Sequence, residues 1–280
     1  MSDEYGLFGY PVQHSWSPFI HGLFARQTGQ EMTYHLFESP PERFRSEVLD
    51  FFSRGGRGIN VTLPHKQAAA DLVNELTPRA ERADAVNTIA RRDELLVGDN
   101  TDGAGLLADL TQNLGLQWSE PRILLLGAGG AARGALGPLL SLKPRLLMIA
   151  NRTADRAVAL AKEFDELGPV KGCEFGNLAL QRFDLIVNAT SAGLRGEVPV
   201  VPIDVVDSMT TCYDMSYGVG DTPFVAWALR LGAGRAEQGW GMLVEQGAES
   251  FDLWRGVRPD TAPVLEALKR RAATGPRTRS

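Results

Sequence analysis

The chain is poor in the residues that would make it a metal or disulfide protein. Its two cysteines, Cys173 and Cys212, form no CxxC, so neither a disulfide framework nor a zinc knuckle can be read from them. Its four histidines, His14, His21, His35 and His65, show no HExxH and no i,i+4 pair, so no metal site is expected. No apolar run of about 18 residues exists. The most apolar stretch, residues 123–142, is broken by Arg133 and five glycines. The N-terminal Met1-Ser2-Asp3-Glu4 is acidic and lacks the apolar core of a secretory leader. With 29 basic against 34 acidic residues the net charge is −5, which argues against nucleic acid as the main partner. A cytoplasmic protein without membrane, metal or nucleic-acid partners is expected, acting as a monomer or homodimer. Lysine is also scarce. Only five occur, and Lys66 is the sole one in the first 142 residues. Arginine stays charged in proteins, whereas lysine can titrate, so an isolated lysine draws notice.

What is present is α/β alternation. The 280 residues suit one large or two medium domains, and 44 % hydrophobic with 22 % charged residues is a globular composition. Residues 5–9, 32–37 and 58–62 read as strands; 18–27, 44–53 and 67–75 read as helices. A second unit opens after Asn100-Thr101-Asp102-Gly103. Residues 122–126, 145–150 and 185–189 are continuous apolar runs, as in strands buried on both faces of a parallel sheet. A glycine-rich turn with a helix to about residue 142, and a helix over 154–164, separate them, which is the rhythm of a doubly wound sheet. Residues 242–254 read as a last strong helix that packs back on the first unit. The fold class is therefore α/β with two domains. Residues 1–101, completed by 239–280, form one, and residues 102–238 form the other.

Gly127-Ala128-Gly129-Gly130-Ala131-Ala132 fits G-x-G-x-x-A between a strand and a helix. In that setting the first glycine allows the tight turn, the second lets the backbone approach a pyrophosphate, and the small third position allows close helix–strand packing. A dinucleotide is expected there, the alternative being a glycine turn with no ligand. The next strand ends in Asn151-Arg152-Thr153 with Arg156 one turn on, and has no carboxylate for a ribose 2′-hydroxyl. Two guanidiniums suit a 2′-phosphate, so NADP is favoured over NAD; the alternative is a solvated helix start.

Three polar clusters stand at predicted strand ends. His14-Ser15-Trp16-Ser17-Pro18 offers two hydroxyls before a Pro-started helix, either to bind a carboxylate or to cap that helix. Asn60-Val61-Thr62-Leu63-Pro64-His65-Lys66 carries the isolated lysine. Ala85-Val86-Asn87-Thr88 and Gly98-Asp99-Asn100-Thr101-Asp102-Gly103 form the third. Each alone is ordinary turn chemistry. Together they suit a small, polyhydroxylated anion.

In order and spacing these motifs resemble the shikimate dehydrogenase family over nearly the whole chain, to about Leu268. They are HSxSP (residues 14–18), NVTxPxK (60–66), AVNT (85–88) and GDNTDG (98–103). GAGGA (127–131), NRT (151–153), NATSxG (188–193), YDM (213–215) and GMLVxQ (241–246) follow. The resemblance implies a Rossmann-type NADP domain beside a substrate domain, with the active site in the cleft between them. It implies NADP-dependent reduction of 3-dehydroshikimate to shikimate in aromatic amino-acid biosynthesis. Ser15, Ser17 and Tyr217 would hold the substrate carboxylate, and Thr62, Asn87, Asp102 and Gln246 its hydroxyls. Lys66 and Asp102 would be the catalytic pair. Gly127, Ala128, Gly129, Gly130, Ala131, Asn151, Arg152, Thr153 and Arg156 would bind the cofactor phosphates, with Met215 and Gly239 near the nicotinamide.

Two positions depart from the family's commonest pattern. Trp16 stands where lysine is often found, and Tyr217 is not followed by Asn-Pro. Neither removes a group the reaction needs. The rival readings are a quinate/shikimate dehydrogenase of broader specificity using NAD, a non-catalytic NADP sensor, and a folate-linked dehydrogenase. The sensor would predict loss of Lys66 or Asp102, and both are present; the serine pair and GDNTDG speak against the folate enzyme.

Overall fold

A computed structural model describes residues 2–274; the short polar tail Gly275-Pro276-Arg277-Thr278-Arg279-Ser280, whose composition predicts fraying, lies outside the described residues. The chain divides into two units, residues 2–105 with Leu243–Arg270, and residues 106–242 with 271–274. The sequence places the first break after Thr101 and the second before Gly239. The first unit includes Asp102, which is bonded to its Lys66 and Asn87.

The first unit runs β1 (Asp3–Gly9), α1 (Ser17–Thr28), β2 (Met32–Glu38), α2 (Pro41–Ser53), β3 (Gly58–Val61), α3 (Lys66–Ala70), β4 (Glu75–Leu76), α4 (Pro78–Ala83), β5 (Thr88–Arg92), β6 (Leu95–Asp99) and the start of α5 (Asp102–Ala108). Its sheet has the order β2-β1-β3-β5-β6-β4. The helix predicted over 67–75 stops at Ala70. Asn74 bonds like a strand residue, its amide donating to Leu96 O (2.9 Å) and its side chain accepting from Leu96 N (2.8 Å), which draws Glu75 and Leu76 into the sheet. β5 and β6 form an antiparallel hairpin that the sequence pattern does not announce. Its two-residue turn is Asp93-Glu94, with Asp93 left-handed at φ 53°, rather than a glycine-bearing turn. On one face of the sheet α2 buries Phe44, Val48, Phe51 and Phe52, spaced for a single helix face, against Phe8, Ile59, Val61 and Ile89. The other face holds an aromatic cluster of Tyr5, His21, Phe24, Tyr34, Phe251 and Trp254. Burial pushes the pKa of His21 down to about 3, so it sits there as a neutral ring stacked on Tyr34.

In the second unit α5 ends in a π-helical turn, Asp109–Asn113. Then come β7 (Arg122–Leu126), α6 (Gly130–Ser141), β8 (Leu146–Asn151), α7 (Ala154–Glu163), β9 (Val170–Glu174), β10 (Leu185–Asn188), β11 (Thr211–Asp214), α8 (Pro223–Arg230) and β12 (Arg235–Gln238). All strands are parallel in the order β12-β11-β10-β7-β8-β9, a doubly wound sheet whose strand order reverses between β7 and β10. Ile123 and Leu125 face one core with α6 and α7, while Leu124 and Leu126 face another with Phe183 and Phe224. Two buried faces explain the unbroken apolar runs. α9 (Trp240–Arg255) returns to the first unit from Leu243 onward and is not the last helix, since α10 (Ala262–Thr274) follows.

Gly172 on β9 touches α7 so closely that a Cβ would lie 2.4 Å from the Ala157 carbonyl oxygen. Backbone cannot move aside as a side chain can, so Gly172→Val should destabilise the second unit by about 1–3 kcal/mol. Calorimetry checks this, with Gly176→Ala, where a Cβ meets nothing within 4 Å, as the neutral comparison.

Candidate active site

Lys66 begins α3, and its ammonium is bonded to Asp102 Oδ2. Its neighbour His65 is buried, with Nε2 2.6 Å from Ser39 O and its ring stacked on Phe44 at 4.4 Å, which fixes the backbone entering the helix. Lys66 O accepts from Val86 N (2.9 Å), tying the lysine to the segment that carries Asn87. The side chains of Lys66 and Asp102 keep 27 % and 20 % of their surface exposed, so the pair is held by the protein yet open to a ligand.

Asn87 is the hub. Its Oδ1 accepts from Thr101 N (2.9 Å), and a backbone amide can only donate, so the carboxamide cannot be turned over. Nδ2 therefore points to Asp102 Oδ1 (2.8 Å), with Thr101 Oγ1 at 2.9 Å and Gln246 Oε1 at 3.4 Å. Each Asp102 oxygen thus has one donor, Lys66 on one side and Asn87 on the other. Behind this layer lies the buried Ser250 hydroxyl. It donates to Gln246 O (3.0 Å) and accepts from Asn60 Nδ2 (2.9 Å), with Thr88 Oγ1 at 2.8 Å. Asn60 Oδ1 in turn accepts from the Tyr34 hydroxyl (2.7 Å).

Ser15 and Ser17 lie together, Ser15 Oγ accepting from Ser17 N (3.2 Å) and donating to Ser17 Oγ (3.1 Å). Ser17 is the first residue of α1, and the Ser15 hydroxyl, by accepting from Ser17 N, serves the start of that helix. Thr62 follows β3 with its methyl against Gly9, where an added Cβ would lie 2.4 Å away. Its hydroxyl has no hydrogen bond among the described residues.

The loop holding Asp102 is anchored by a buried charge. Asp99 takes Arg79 Nε on Oδ1 (2.7 Å) and Nη2 on Oδ2 (2.6 Å), and also accepts from Thr77 Oγ1 (2.6 Å) and Asn100 N (2.8 Å). Burial alone would raise the pKa of its carboxyl; the Arg79 fork and the Thr77 hydroxyl outweigh that and hold it below the usual carboxylate range. Arg79 Nη1 also reaches Glu249 (2.9 Å) on α9, and Arg258 joins Glu249 to the buried Glu245. Local pattern gave no sign of this network, because Arg79 and Asp99 are far apart in sequence and Glu249 further still.

The second unit gathers the other expected residues. Gly127 has φ +107°, and a Cβ there would lie 3.2 Å from Ala189 O, so the loops after β7 and β10 meet at the switch point. Added Cβ atoms on Gly129 and Gly130 would meet nothing within 4 Å, which leaves space before the α6 N-terminus, whose cap residue Gly129 supplies no side chain. Peptide N–H groups at such an end suit a pyrophosphate. At the tip of β8, Asn151 Nδ2 donates to Thr153 O (3.0 Å), and Arg152 and Arg156 are exposed with no ion-pair partner among the described residues. Ala128 and Ala131 flank the glycines. Gly239 packs on Met215, where a Cβ would lie 2.6 Å from the carbonyl oxygen, and Tyr217 is 38 % exposed with its ring on Trp240. Among the described residues no cluster of side chains could hold a metal, and no helix is long and apolar enough to cross a membrane.

A doubly wound sheet with an open glycine loop, two arginines after its second strand that have no ion-pair partner among the described residues, and a unit bearing a lysine–aspartate pair define the class of dinucleotide-dependent oxidoreductases. The family models agree. Residues 7–89 match the shikimate dehydrogenase substrate binding domain, 109–201 match shikimate/quinate 5-dehydrogenase, and 239–269 match the shikimate 5′-dehydrogenase C-terminal domain. The chain is 54 % identical over 273 residues to shikimate dehydrogenase (NADP(+)) of Aeromonas hydrophila, covering 97 % of this chain and 99 % of that one. Among solved structures it resembles an Ael1 enzyme from Pseudomonas putida, with a TM-score of 0.90, 44 % identity and coverage of 95 % and 98 %. It also resembles shikimate 5-dehydrogenase from Thermus thermophilus in complex with NADP(H) and shikimate, with a TM-score of 0.85, 33 % identity and coverage of 96 % and 99 %. The chain belongs to the shikimate dehydrogenase family.

Proposed function

We propose that this chain is an oxidoreductase that interconverts 3-dehydroshikimate and shikimate with NADP, a step of aromatic amino-acid biosynthesis. The observation that carries this reading is the Lys66–Asp102–Asn87 cluster, its two catalytic side chains partly open, in a chain of this family. Bound NADPH supplies the hydride that reduces the ketone. The ketone oxygen then gains negative charge, and a positioned cation must stabilise it and deliver a proton. Lys66 performs both tasks. Asp102 keeps the ammonium aimed, and Asn87 stops Asp102 from turning away. In the reverse direction Lys66 first releases a proton to solvent, to which its side chain is open, and the neutral amine then takes the hydroxyl proton as the hydride passes to NADP.

Ser15 and Ser17, with Tyr217, bind the substrate carboxylate, and Thr62, Asn87, Asp102 and Gln246 bind its hydroxyls. The open glycine loop from Gly127 to Ala131 holds the pyrophosphate, with Met215 and Gly239 at the nicotinamide end. Asn151, Arg152, Thr153 and Arg156 take the ribose 2′-phosphate, which two guanidiniums with no ion-pair partner among the described residues suit better than a 2′-hydroxyl. One chain carries every group named, so a monomer or a homodimer would serve equally. We place it in the cytoplasm, where NADP and a small acid are dissolved.

The test is oxidation of shikimate by the purified protein with NADP or NAD, repeated with quinate. Turnover confined to shikimate and NADP supports this reading. Comparable turnover of quinate, or a preference for NAD, would favour the broader-specificity relative, and NADP binding without turnover would favour a sensor. Lys66→Ala should lower kcat by about 10²–10⁴-fold, the range for one acid–base group, as measured by steady-state kinetics. Arg152→Ala should raise KM for NADP well above its effect on KM for shikimate; equal effects would remove the 2′-phosphate assignment.

A further inference from the structure

Arg79, Asp99, Glu249, Arg258 and Glu245 alternate in charge along one connected network, and none of them touches the Lys66 ammonium. The network does reach the segments that carry Asp102, Asn87 and Gln246. Asp99 is only 2 % exposed; its Oδ1 accepts from Asn100 N, and Asn100 Oδ1 accepts from Asp102 N (3.2 Å). Asp99 O accepts from Asn87 N (3.0 Å), so the same residue positions both Asp102, the partner of the catalytic lysine, and Asn87, which orients Asp102. At its other end the network grips α9 through Glu245 and Glu249, the residues just before and one turn after Gln246. Arg79 joins the two ends, because Nε and Nη2 take both Asp99 oxygens while Nη1 takes Glu249. A lysine has no such fork.

We infer that Arg79 is a positioning residue for the reaction: its fork on Asp99 sets Asp102 and Asn87, and its link to Glu249 sets the helix that presents Gln246. This rests on the dehydrogenase reading above. It assigns different consequences to the network's two ends. Loss of the fork displaces the groups that hold Lys66 and lowers kcat. Loss of the Glu249 link displaces only a binding group and raises KM for shikimate.

The full-length wild type, Arg79→Lys and Glu249→Gln are compared by steady-state oxidation of shikimate, fluorescence titration with NADP, and calorimetry. Arg79→Lys should lower kcat about 10- to 100-fold, the scale of a displacement near 1 Å, with Kd for NADP unchanged within about twofold. Glu249→Gln should raise KM for shikimate up to about tenfold, the scale of one hydrogen bond, with kcat held within about threefold. Glu249 is partly exposed, so this variant remains informative if Arg79→Lys fails to fold. Wild-type kcat and KM in both folded variants would overturn the inference while leaving the dehydrogenase reading intact. So would a fall in Tm together with equal losses in kcat, KM and NADP affinity, which marks a merely structural role. A wild type that does not oxidise shikimate would overturn the dehydrogenase reading and this inference with it.

Discussion

The two hydrogen bonds to Asp102 are the constraint on which the rest of the site depends. A carboxylate at the start of a helix is still free to rotate, and a lysine has four torsions, so a bare ion pair at the surface would be poorly aimed and weak. Asn87 removes the first freedom by taking one Asp102 oxygen, which leaves the other for Lys66. Thr101 N removes the ambiguity in Asn87 itself. The aim of the ammonium thus follows from a chain of donors that ends on rigid backbone.

That chain explains why the first unit is built as it is. The antiparallel β5–β6 pair puts Thr88 opposite Asp99, so Asn87 and the Asp99–Asp102 loop leave the sheet side by side. β3 lies next to β5 and delivers Thr62 and Lys66 to the same end. α9 returns from far along the chain and supplies Gln246 and Ser250 over this end, so the site closes with residues more than 150 positions apart. The second unit repeats the logic with backbone in place of side chains. The order of its parallel strands reverses between β7 and β10, and Gly127 meets Ala189 there because it lacks a Cβ and takes a positive φ.

The second unit was the more legible in sequence. Strands buried on two faces give unbroken apolar runs, and a glycine loop between strand and helix has one main use, so β7, α6, β8 and β10 could be read almost to the residue. The first unit hid more. Its hairpin turns on Asp93-Glu94, which carries no glycine, and β4 is two residues long, held by an asparagine that imitates a strand partner. Side-chain pairings were the least visible. Lys66 stood out because lysine is rare here, and Asp102 stood out only through the family motif. The Arg79–Asp99 fork had no local signature. Gly241 was visible as part of GMLVxQ, but its reason is the buried Asp109, whose carboxylate would lie 1.8 Å from an added Cβ and which accepts from Met242 N and the Tyr213 hydroxyl.

The central claim is that Lys66 and Asp102 act as one unit in proton transfer. A double-mutant cycle on kcat for shikimate oxidation, using Lys66→Ala, Asp102→Asn and the combined variant, tests it most directly. The geometry predicts that the double variant is about as slow as Lys66→Ala alone, because Asp102 has little left to orient once the ammonium is gone. Losses that multiply across the two sites would show that the residues act independently, and would contradict the mechanism built on their bond.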